Sequence, residues 1–151
     1  MKTEGGMALA LVLVASLCSG EVVFEEDFES PEDYRKRWQA PSGWSLVESE
    51  INGRKTTVLN IKGGNEGLSV PAGLGDFDYE ADLRLFGGGG GFLFRAQDTD
   101  NLYMIRLVAD DDFLYAHTKK EGKYQTTSGE PYVKLPLARR LSLWTWCRVK
   151  F

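Results

Sequence analysis

The stretch Phe77-Asp-Tyr-Glu-Ala-Asp-Leu-Arg-Leu85 has an apolar residue at every odd position and a charged residue at every even position. Side chains alternate between the two faces of a β-strand, so this order separates the apolar groups from the charges. An α-helix would distribute the same residues around its circumference. The stretch therefore predicts a half-buried β-strand, around which the neighbouring segments are arranged.

Two segments of similar character follow it. Gly91–Ala96 and Asn101–Leu107 are rich in apolar residues, and the polar run Gln97–Asp100 between them is typical of a turn. We therefore expect three consecutive antiparallel strands. The predicted core layer consists of Tyr79, Ala81, Leu83, Phe92, Phe94, Tyr103, Ile105 and Leu107. The predicted opposite face carries Glu80, Asp82, Arg84, Leu93, Arg95, Met104 and Arg106.

Turn residues divide the remaining sequence into short strand-like segments. Ser30-Pro31 predicts the start of a helix of about two turns, Asn52-Gly53 a tight hairpin, and Glu121-Gly122 another turn. Further strands are expected over 21–28, 44–51, 55–61, 67–70, 113–119, 124–127 and 144–151, with mostly loop over 131–143. About nine short strands with almost no helix predict an all-β fold, an antiparallel β-sandwich or jelly roll.

The N-terminus has the features of a secretion signal. Lys2 lies in a short polar lead, and Met7–Leu17 is an uninterrupted run of apolar and small residues that is too short to cross a bilayer. We expect cleavage after Gly20, with Ser19 as the second choice. Residues 1–20 are thus a predicted signal peptide and 21–151 a single domain. The alternatives are a buried first strand and a retained anchor.

The composition of the chain argues against some classes of binding partner. The chain has 151 residues, 42% of them hydrophobic and 26% charged, with a formal net charge of −4 at pH 7, which leaves room for one globular domain. Without a basic run it has no electrostatic footprint for nucleic acid or for an anionic membrane surface. Cleavage would leave Cys147 as the single cysteine, which excludes an internal disulfide. Cys147 alternates with Val149 and is interpreted as a small core residue.

The last segment, 144–151, alternates like a strand and stops without a turn or a polar tail. An unpaired strand would expose backbone groups and apolar surface. We therefore expect further strands beyond Phe151, with a natural end on a paired strand as the alternative.

The segments Phe94-Arg-Ala-Gln-Asp98 and Asn101–Leu107 resemble the paired central strands of the concanavalin A-like lectin/glucanase superfamily, in particular its laminin-G-like and keto-disaccharide-hydrolase-like domains. Other similar pieces are Phe24-Glu-Glu-Asp-Phe28, Trp38, Trp44, Gly75-Asp-Phe77 and Trp146-Cys-Arg-Val-Lys150. The resemblance implies two curved antiparallel sheets, one concave face of which often holds sugar, and more strands after residue 151. It does not select a function, because the superfamily includes lectins, glycanases and adhesion modules.

Charged residues on the predicted outer face form the candidate ligand site. Neighbouring strands lie about 4.8 Å apart, so Glu80 and Asp82 are expected to face Arg95 and Arg106 if the register brings them level. Such a patch could hold sugar hydroxyls through bidentate hydrogen bonds. His117, which shares a strand face with two aromatic residues, completes the predicted ligand-binding set. The alternative is a solvated face with cross-strand ion pairs.

A catalytic use of the same strand is the competing interpretation. Retaining glycosidases need two carboxyl groups about 5.5 Å apart. Glu80-Ala-Asp-Leu-Arg84 resembles the catalytic strand of family 16 glycoside hydrolases, but Arg84 stands where a second catalytic acid belongs. No Gly-x-Ser-x-Gly motif precedes His117, the only histidine, so a serine triad is not supported. The alternative function is a hydrolase of glycosides or keto-glycosides that acts through Glu80 and Asp82.

The acidic clusters and the glycine run have simpler explanations. Asp98–Asn101 and Asp110–Asp112 are expected at opposite ends of one strand, so they do not converge on a calcium ion, and turn chemistry explains both. Gly87–Gly91 is followed by neither Gly-Lys-Ser/Thr nor a helix, so it is interpreted as a flexible connector rather than a phosphate loop. We predict no metal and no cofactor.

Together these features predict a secreted or periplasmic β-sandwich that binds a poly- or oligosaccharide without turning it over. Aromatic platforms for the sugar would come from Trp38, Trp44 or Tyr115, each of which is equally a candidate core residue. A protein–protein adhesion module without a sugar site is the third interpretation.

Overall fold

The computed structural model describes residues 6–16, 22–62, 68–69, 77–125 and 130–151, which form thirteen strands and one short helix. In chain order these are β1 (Gly6–Ser16), β2 (Val22–Glu26), α1 (Pro31–Arg37), β3 (Trp38–Gln39), β4 (Trp44–Ile51), β5 (Arg54–Lys62), β6 (Leu68–Ser69), β7 (Phe77–Gly87), β8 (Gly89–Phe94), β9 (Leu102–Val108), β10 (Phe113–Lys120), β11 (Lys123–Tyr124), β12 (Val133–Pro136) and β13 (Cys147–Lys150).

Six strands form the first sheet, in the order β13-β7-β1-β5-β4, and β2 also pairs with β1. Every pairing in it is antiparallel. The β4–β5 hairpin turns at Asn52 and Gly53, whose φ angles of 51° and 77° are those of a type I′ turn. Both this turn and strand β4 lie where the sequence predicts them.

The helix also begins where the sequence predicts. Ser30 Oγ accepts a hydrogen bond from the Asp33 amide at 3.3 Å, and Pro31 occupies the first turn, where its missing N–H costs nothing. The chain becomes extended at Trp38, after seven helical residues. In the part of the chain that the structure describes, no helix is long and apolar enough to cross a membrane.

Five strands form the second sheet, in the order β11-β10-β9-β8, with β12 beside β10. The predicted turn at Glu121-Gly122 joins β10 to β11, with φ angles of 51° and 74°. Strand β12 takes up four residues of the segment 131–143, which the sequence predicts as mostly loop. Pro131 lies two residues before the strand and Pro136 is its last residue, and these prolines weaken the sequence signal for a strand. Strands β3 and β6 form a separate pair.

The two sheets pack face to face around an apolar core, which confirms the prediction of an all-β antiparallel sandwich. The rings of Tyr79 on β7 and Phe92 on β8 lie 4.9 Å apart between the sheets, and buried residues of both sheets share one cluster. Of the predicted core layer, the buried members are Tyr79, Ala81, Leu83, Phe92 and Leu107. Jelly-roll connectivity stays a prediction.

One residue of the predicted core layer, Tyr103, is exposed. Tyr103 is 53% exposed, although it lies on the same face of β9 as the buried Leu107. It is the second residue of the strand, close to the end of the sheet. Alternation assigns a side chain to a face, but it does not reveal how far the opposing sheet extends over that face.

Three consecutive strands were predicted to pair with one another, and this prediction is wrong for the first and second of them. Strand β7 pairs with β1 and β13, whereas β8 pairs with β9 in the other sheet. The chain passes between the sheets at Gly88, whose φ is 51°. The next three residues, Gly89–Gly91, belong to β8 and not to a flexible connector. A Cβ at Gly89 would collide with the carbonyl oxygen of Leu107, so close backbone approach explains that glycine.

The predicted signal segment forms an inner strand of the first sheet. Strand β1 pairs with β7 along one edge, and with β5 and β2 along the other. Met7 and Ala8 are buried, with 4% and 1% of their surface exposed. The uncut chain therefore has the buried first strand that the sequence left as an alternative. Cleavage after Gly20 stays a prediction, and residues 17–20 lie outside the described residues.

Strand β13 forms one edge of the first sheet, and its pairing with β7 continues through Phe151, whose amide donates to the Tyr79 carbonyl at 2.9 Å. Cys147 is half-buried against the core, in agreement with its interpretation as a small core residue. Its thiol lies 3.5 Å from the Leu83 carbonyl oxygen. Burial, and after it the charge of Asp82, raises the pKa of this thiol, so the nucleophilic thiolate is disfavoured.

Candidate functional site

The predicted ligand residues do not form one constellation. Ala81 and Leu83 of β7 face the core, so the alternating Glu80 and Asp82 face outward from the first sheet. Leu107 of β9 also faces the core, so Arg106 faces outward from the second sheet.

His117 shares that outer surface of the second sheet, and Arg95 follows the end of β8 with a φ of 47°. The acids and Arg106 therefore lie on opposite surfaces of the sandwich. The prediction that they face one another is wrong, because it assumed that β7 and β8 are neighbours in one sheet.

On the first sheet, the two acids are engaged by strand β13. Asp82 accepts two parallel hydrogen bonds from Arg148, at 2.8 and 2.7 Å. The same guanidinium lies 3.5 Å from the Glu80 carboxylate, and Lys150 lies 3.7 Å from Asp78. The geometry matches the alternative of cross-strand ion pairs, with partners from β13. The alternation of Arg148 and Lys150 along the last strand was the sequence signal for this pairing.

An aromatic patch adjoins these ion pairs, and the sequence interpretation did not include it in the site. The Arg84 guanidinium lies 4.9 Å from the centre of the Trp146 ring, within reach of a cation–π interaction. Trp144, which is 67% exposed, stacks on Phe86 with ring centres 5.6 Å apart. The two-residue spacing of the tryptophans was the available signal that both lie beside β7.

On the second sheet, the turn between β9 and β10 builds one end of the outer surface. The Asp111 carboxylate accepts hydrogen bonds from the backbone amides of Asp112 and Phe113 at 2.7 and 3.2 Å, as is typical of aspartate in a turn. Its second oxygen accepts the Tyr115 hydroxyl at 2.6 Å. These bonds lower the pKa of Asp111, and the bond to Asp111 is the main cause that raises the pKa of Tyr115.

Four rings form a continuous series across this surface, here named the aromatic row: Tyr115, Tyr132, His117 and Tyr124. Tyr132 lies 5.0 Å from Tyr115 and 5.6 Å from His117, between ring centres, and His117 lies 5.4 Å from Tyr124. All three contacts have the edge-to-face geometry that aromatic pairs prefer. Tyr115 and His117 lie on β10, Tyr124 comes from β11, and Tyr132 comes from the residue just before β12. The row therefore exists only in the folded sheet.

His117 is held in one tautomer. Its Nδ1 lies 2.9 Å from the Pro131 carbonyl oxygen, and because a carbonyl can only accept, Nδ1 carries the proton. The other nitrogen, Nε2, is buried without a hydrogen-bond partner. Burial is the main cause that lowers the pKa of His117, and the charge of Arg106 adds to it, against the opposing effect of the Pro131 bond.

Cations flank the aromatic row. Lys134 Nζ lies 5.8 Å from the centre of the Tyr115 ring and 5.9 Å from that of Tyr132. Lys119 Nζ lies 5.7 Å from the Tyr124 ring at the other end. Arg106, exposed on β9, is directly opposite Tyr115 in the register. This surface therefore combines aromatic faces with positive charge.

The other predicted platforms belong to the interior. Trp38 and Trp44 lie 6.2 Å apart between ring centres and pack against the core. The Trp38 indole donates a hydrogen bond to the buried Glu26 carboxylate at 3.2 Å. Tyr115 alone of the three predicted platforms lies on the outer surface described above.

In the two acidic turns, Asp98–Asn101 and Asp110–Asp112, carboxylates accept hydrogen bonds from groups of the same chain. Asp98 accepts hydrogen bonds from the backbone amides of Asp100 and Asn101 at 2.8 and 2.7 Å, and Asp112 accepts two from Arg140 at 2.9 and 2.7 Å. Within the described ranges, no group of three or more His, Cys, Asp or Glu side chains is arranged to hold a metal ion.

Comparisons with protein-family models, with curated proteins and with solved structures find no match to this chain. The resemblance to the concanavalin A-like superfamily therefore stays a prediction.

Proposed function

We propose that this protein binds carbohydrate, without turning it over, through the aromatic row on the outer surface of the second sheet. The observation that carries the proposal is the contact series of Tyr115, Tyr132, His117 and Tyr124, with cations at both ends. Aromatic rings offer apolar faces to the C–H faces of a sugar, and their polar edges can take part in hydrogen bonds with its hydroxyls.

The alternative surface, on the first sheet, fits a ligand less well. The acids expected to hold sugar hydroxyls there are occupied, since Asp82 receives both of its hydrogen bonds from Arg148. A ligand would have to use the lone pairs of the carboxylate that this bidentate pair leaves free, or displace Arg148. The same engagement opposes a role of Asp82 as a nucleophile or an acid, so the hydrolase alternative receives no support from this geometry.

The charge of the second surface favours sugars that carry carboxylate or sulfate groups. Arg106 and Lys134 are both exposed there, and a guanidinium pairs with a carboxylate through two parallel hydrogen bonds. The proposed ligand is accordingly an acidic poly- or oligosaccharide. A signal peptide that ends at Gly20 would bring the protein to the periplasm or the exterior, where such polymers are encountered.

The test is binding of the full chain to an array of acidic and neutral glycans, followed by titration of the best ligand. Tyr132→Ala and Lys134→Ala should each weaken binding at least tenfold, and Tyr132→Phe should retain most of it, because the ring remains. Lys150→Ala is the matched control, since Lys150 is an exposed lysine on a strand of the other sheet.

Two outcomes would reject the proposal. Retention of no glycan by the folded chain would remove carbohydrate as the ligand class. Loss of binding in Trp144→Ala, with unchanged binding in Lys134→Ala, would move the site to the surface of the first sheet.

A further inference from the structure

Strand β1 connects three other strands of the first sheet. Along one edge it pairs with β7 from Gly6 to Ser16. Along the other edge Gly6–Leu9 pairs with β5, and Val12–Ala15 pairs with β2. Among the described residues, β1 is the only strand with which β2 pairs. The backbone of this one segment therefore completes the hydrogen bonding of three neighbours.

Removal of β1 would leave a groove that the neighbouring strands cannot close easily. Both β5 and β7 are antiparallel to β1, so they run parallel to each other, across two strand spacings of roughly 10 Å in total. Direct contact would replace two antiparallel pairings by one parallel pairing, which is slightly less stable per residue. The unpaired N–H and C=O groups of both walls would instead form a template for another strand.

We infer that this groove is a strand-acceptor site, and that its ligand is an extended, apolar peptide segment of another polypeptide, bound antiparallel to β7. The backbone of β1 shows the bound geometry, with both edges of the inserted strand hydrogen-bonded. The predicted cleavage after Gly20 would separate β1 from the rest of the chain and open the site. The inference does not depend on carbohydrate binding, because it rests on the first sheet alone.

Two buried positions give the groove its selectivity. The Met7 side chain enters the core opposite Gly90, where a Cβ would come within 2.5 Å of the Met7 sulfur. Ala8, on the other face of the strand, packs with Val58 in a second apolar cluster. A ligand strand therefore needs a long, flexible apolar side chain followed directly by a small one. Larger residues at the second position would overfill a closely packed cluster.

The experiment starts from the full chain with a protease recognition sequence inserted between Ser16 and Val22. After cleavage, the two fragments should remain together on size-exclusion chromatography. An excess of a fluorescent peptide with the sequence 6–16, made soluble by terminal lysines, should then exchange into the groove. Peptides with Met7→Asp or Ala8→Trp should bind at least tenfold more weakly, as should the 6–16 peptide to a Gly90→Val acceptor.

A peptide of the same composition in scrambled order is the control for non-specific apolar binding. If the cut chain loses its N-terminal fragment and unfolds, recovery of the native spectrum on addition of the 6–16 peptide would support the site, and failure to recover it would reject the site. Equal binding of the scrambled peptide would also reject it. So would a cut chain that releases the fragment while its amides in β2 and β7 keep their protection from hydrogen exchange.

Discussion

Met7 and Gly90 lie against each other between the two sheets, so close that a Cβ on Gly90 would be 2.5 Å from the Met7 sulfur. One residue belongs to the predicted signal segment and the other to the glycine run that the sequence suggested was a connector. Their contact means that the absence of a side chain on β8 makes room for a side chain from β1. Substitutions at these two positions can therefore test whether β1 lies in the core.

Gly90→Ala should lower the free energy of unfolding by about 1–3 kcal/mol, because the added methyl group overfills the contact with Met7. In a Met7→Ala background the same substitution should cost less, since the sulfur that it strikes is gone. Urea denaturation of the four proteins of the cycle measures the coupling. Gly89→Ala is the control, because its clash is with the Leu107 carbonyl and Met7→Ala should not relieve it. An equal cost of Gly90→Ala in both backgrounds would contradict the contact.

Glu26→Ala should destabilise the protein by about 2–4 kcal/mol, since a buried donor without an acceptor costs roughly 1–3 kcal/mol. Glu26 is 3% exposed, and its carboxylate accepts hydrogen bonds from the Phe28 amide at 3.0 Å and from the Trp38 indole at 3.2 Å. The neighbouring Glu25→Ala, at an exposed position, should change stability by less than about 0.5 kcal/mol. Chemical denaturation followed by tryptophan fluorescence compares them, and similar midpoints would refute the role of Glu26.

The ion pair of Asp82 and Arg148 should contribute less than about 1 kcal/mol, because both side chains are partly exposed to water. A double-mutant cycle with Asp82→Asn and Arg148→Met gives the coupling free energy, which should fall further in about 1 M salt. A coupling of several kcal/mol that is insensitive to salt would show that this part of the surface is excluded from solvent.

Glu80→Gln tests the hydrolase alternative. If the protein only binds sugar, neither the wild type nor this variant should release product from native or oxidised disaccharides above the buffer blank. The measurement is chromatography of the products after long incubation at high protein concentration. Release by the wild type that disappears in Glu80→Gln would overturn the binding-only proposal and give this carboxylate a catalytic role.

Stability should fall as the pH is lowered from about 7.5 to 5.5, because of His117. Its pKa is lowered in the folded state, so in this window the unfolded chain takes up a proton, near the ordinary pKa of about 6.5, before the native protein does. His117→Gln should flatten the dependence of the denaturation midpoint on pH. His117 is the only histidine, which leaves no second imidazole to confuse the comparison. Parallel curves for the two proteins would show that the folded state does not disfavour the charged ring.

Local features of the fold were predictable where neighbours in sequence decide them. The Ser30 cap, the Asn52-Gly53 turn and strand β4 depend on interactions within a few residues, and the sequence located all three. The alternation over Phe77–Leu85 likewise assigned the apolar side chains to the core face and the charged ones to the outer face, because the zigzag of a strand is a property of its own backbone.

For the candidate site, the sequence predicted some of the residues but not their arrangement. Arg106 and His117 were identified as ligand candidates, but Tyr132 and Lys134 were not, since they are far along the chain in a segment without a clear strand signal. Their proximity to Tyr115 depends on the pairing of β12 with β10. No local pattern encodes which distant strand will occupy a free edge.

By itself, the sequence determined that this chain forms short antiparallel strands with one charged and one apolar face, because alternation and turn chemistry act over a few residues. Only the tertiary structure decided that β7 and β8 lie in different sheets, that Asp82 pairs with Arg148, and that 6–16 fills the groove between β5 and β7. The physical reason is that backbone hydrogen bonds are alike for every strand, so the choice of partner depends on how the whole set of apolar faces can be buried together.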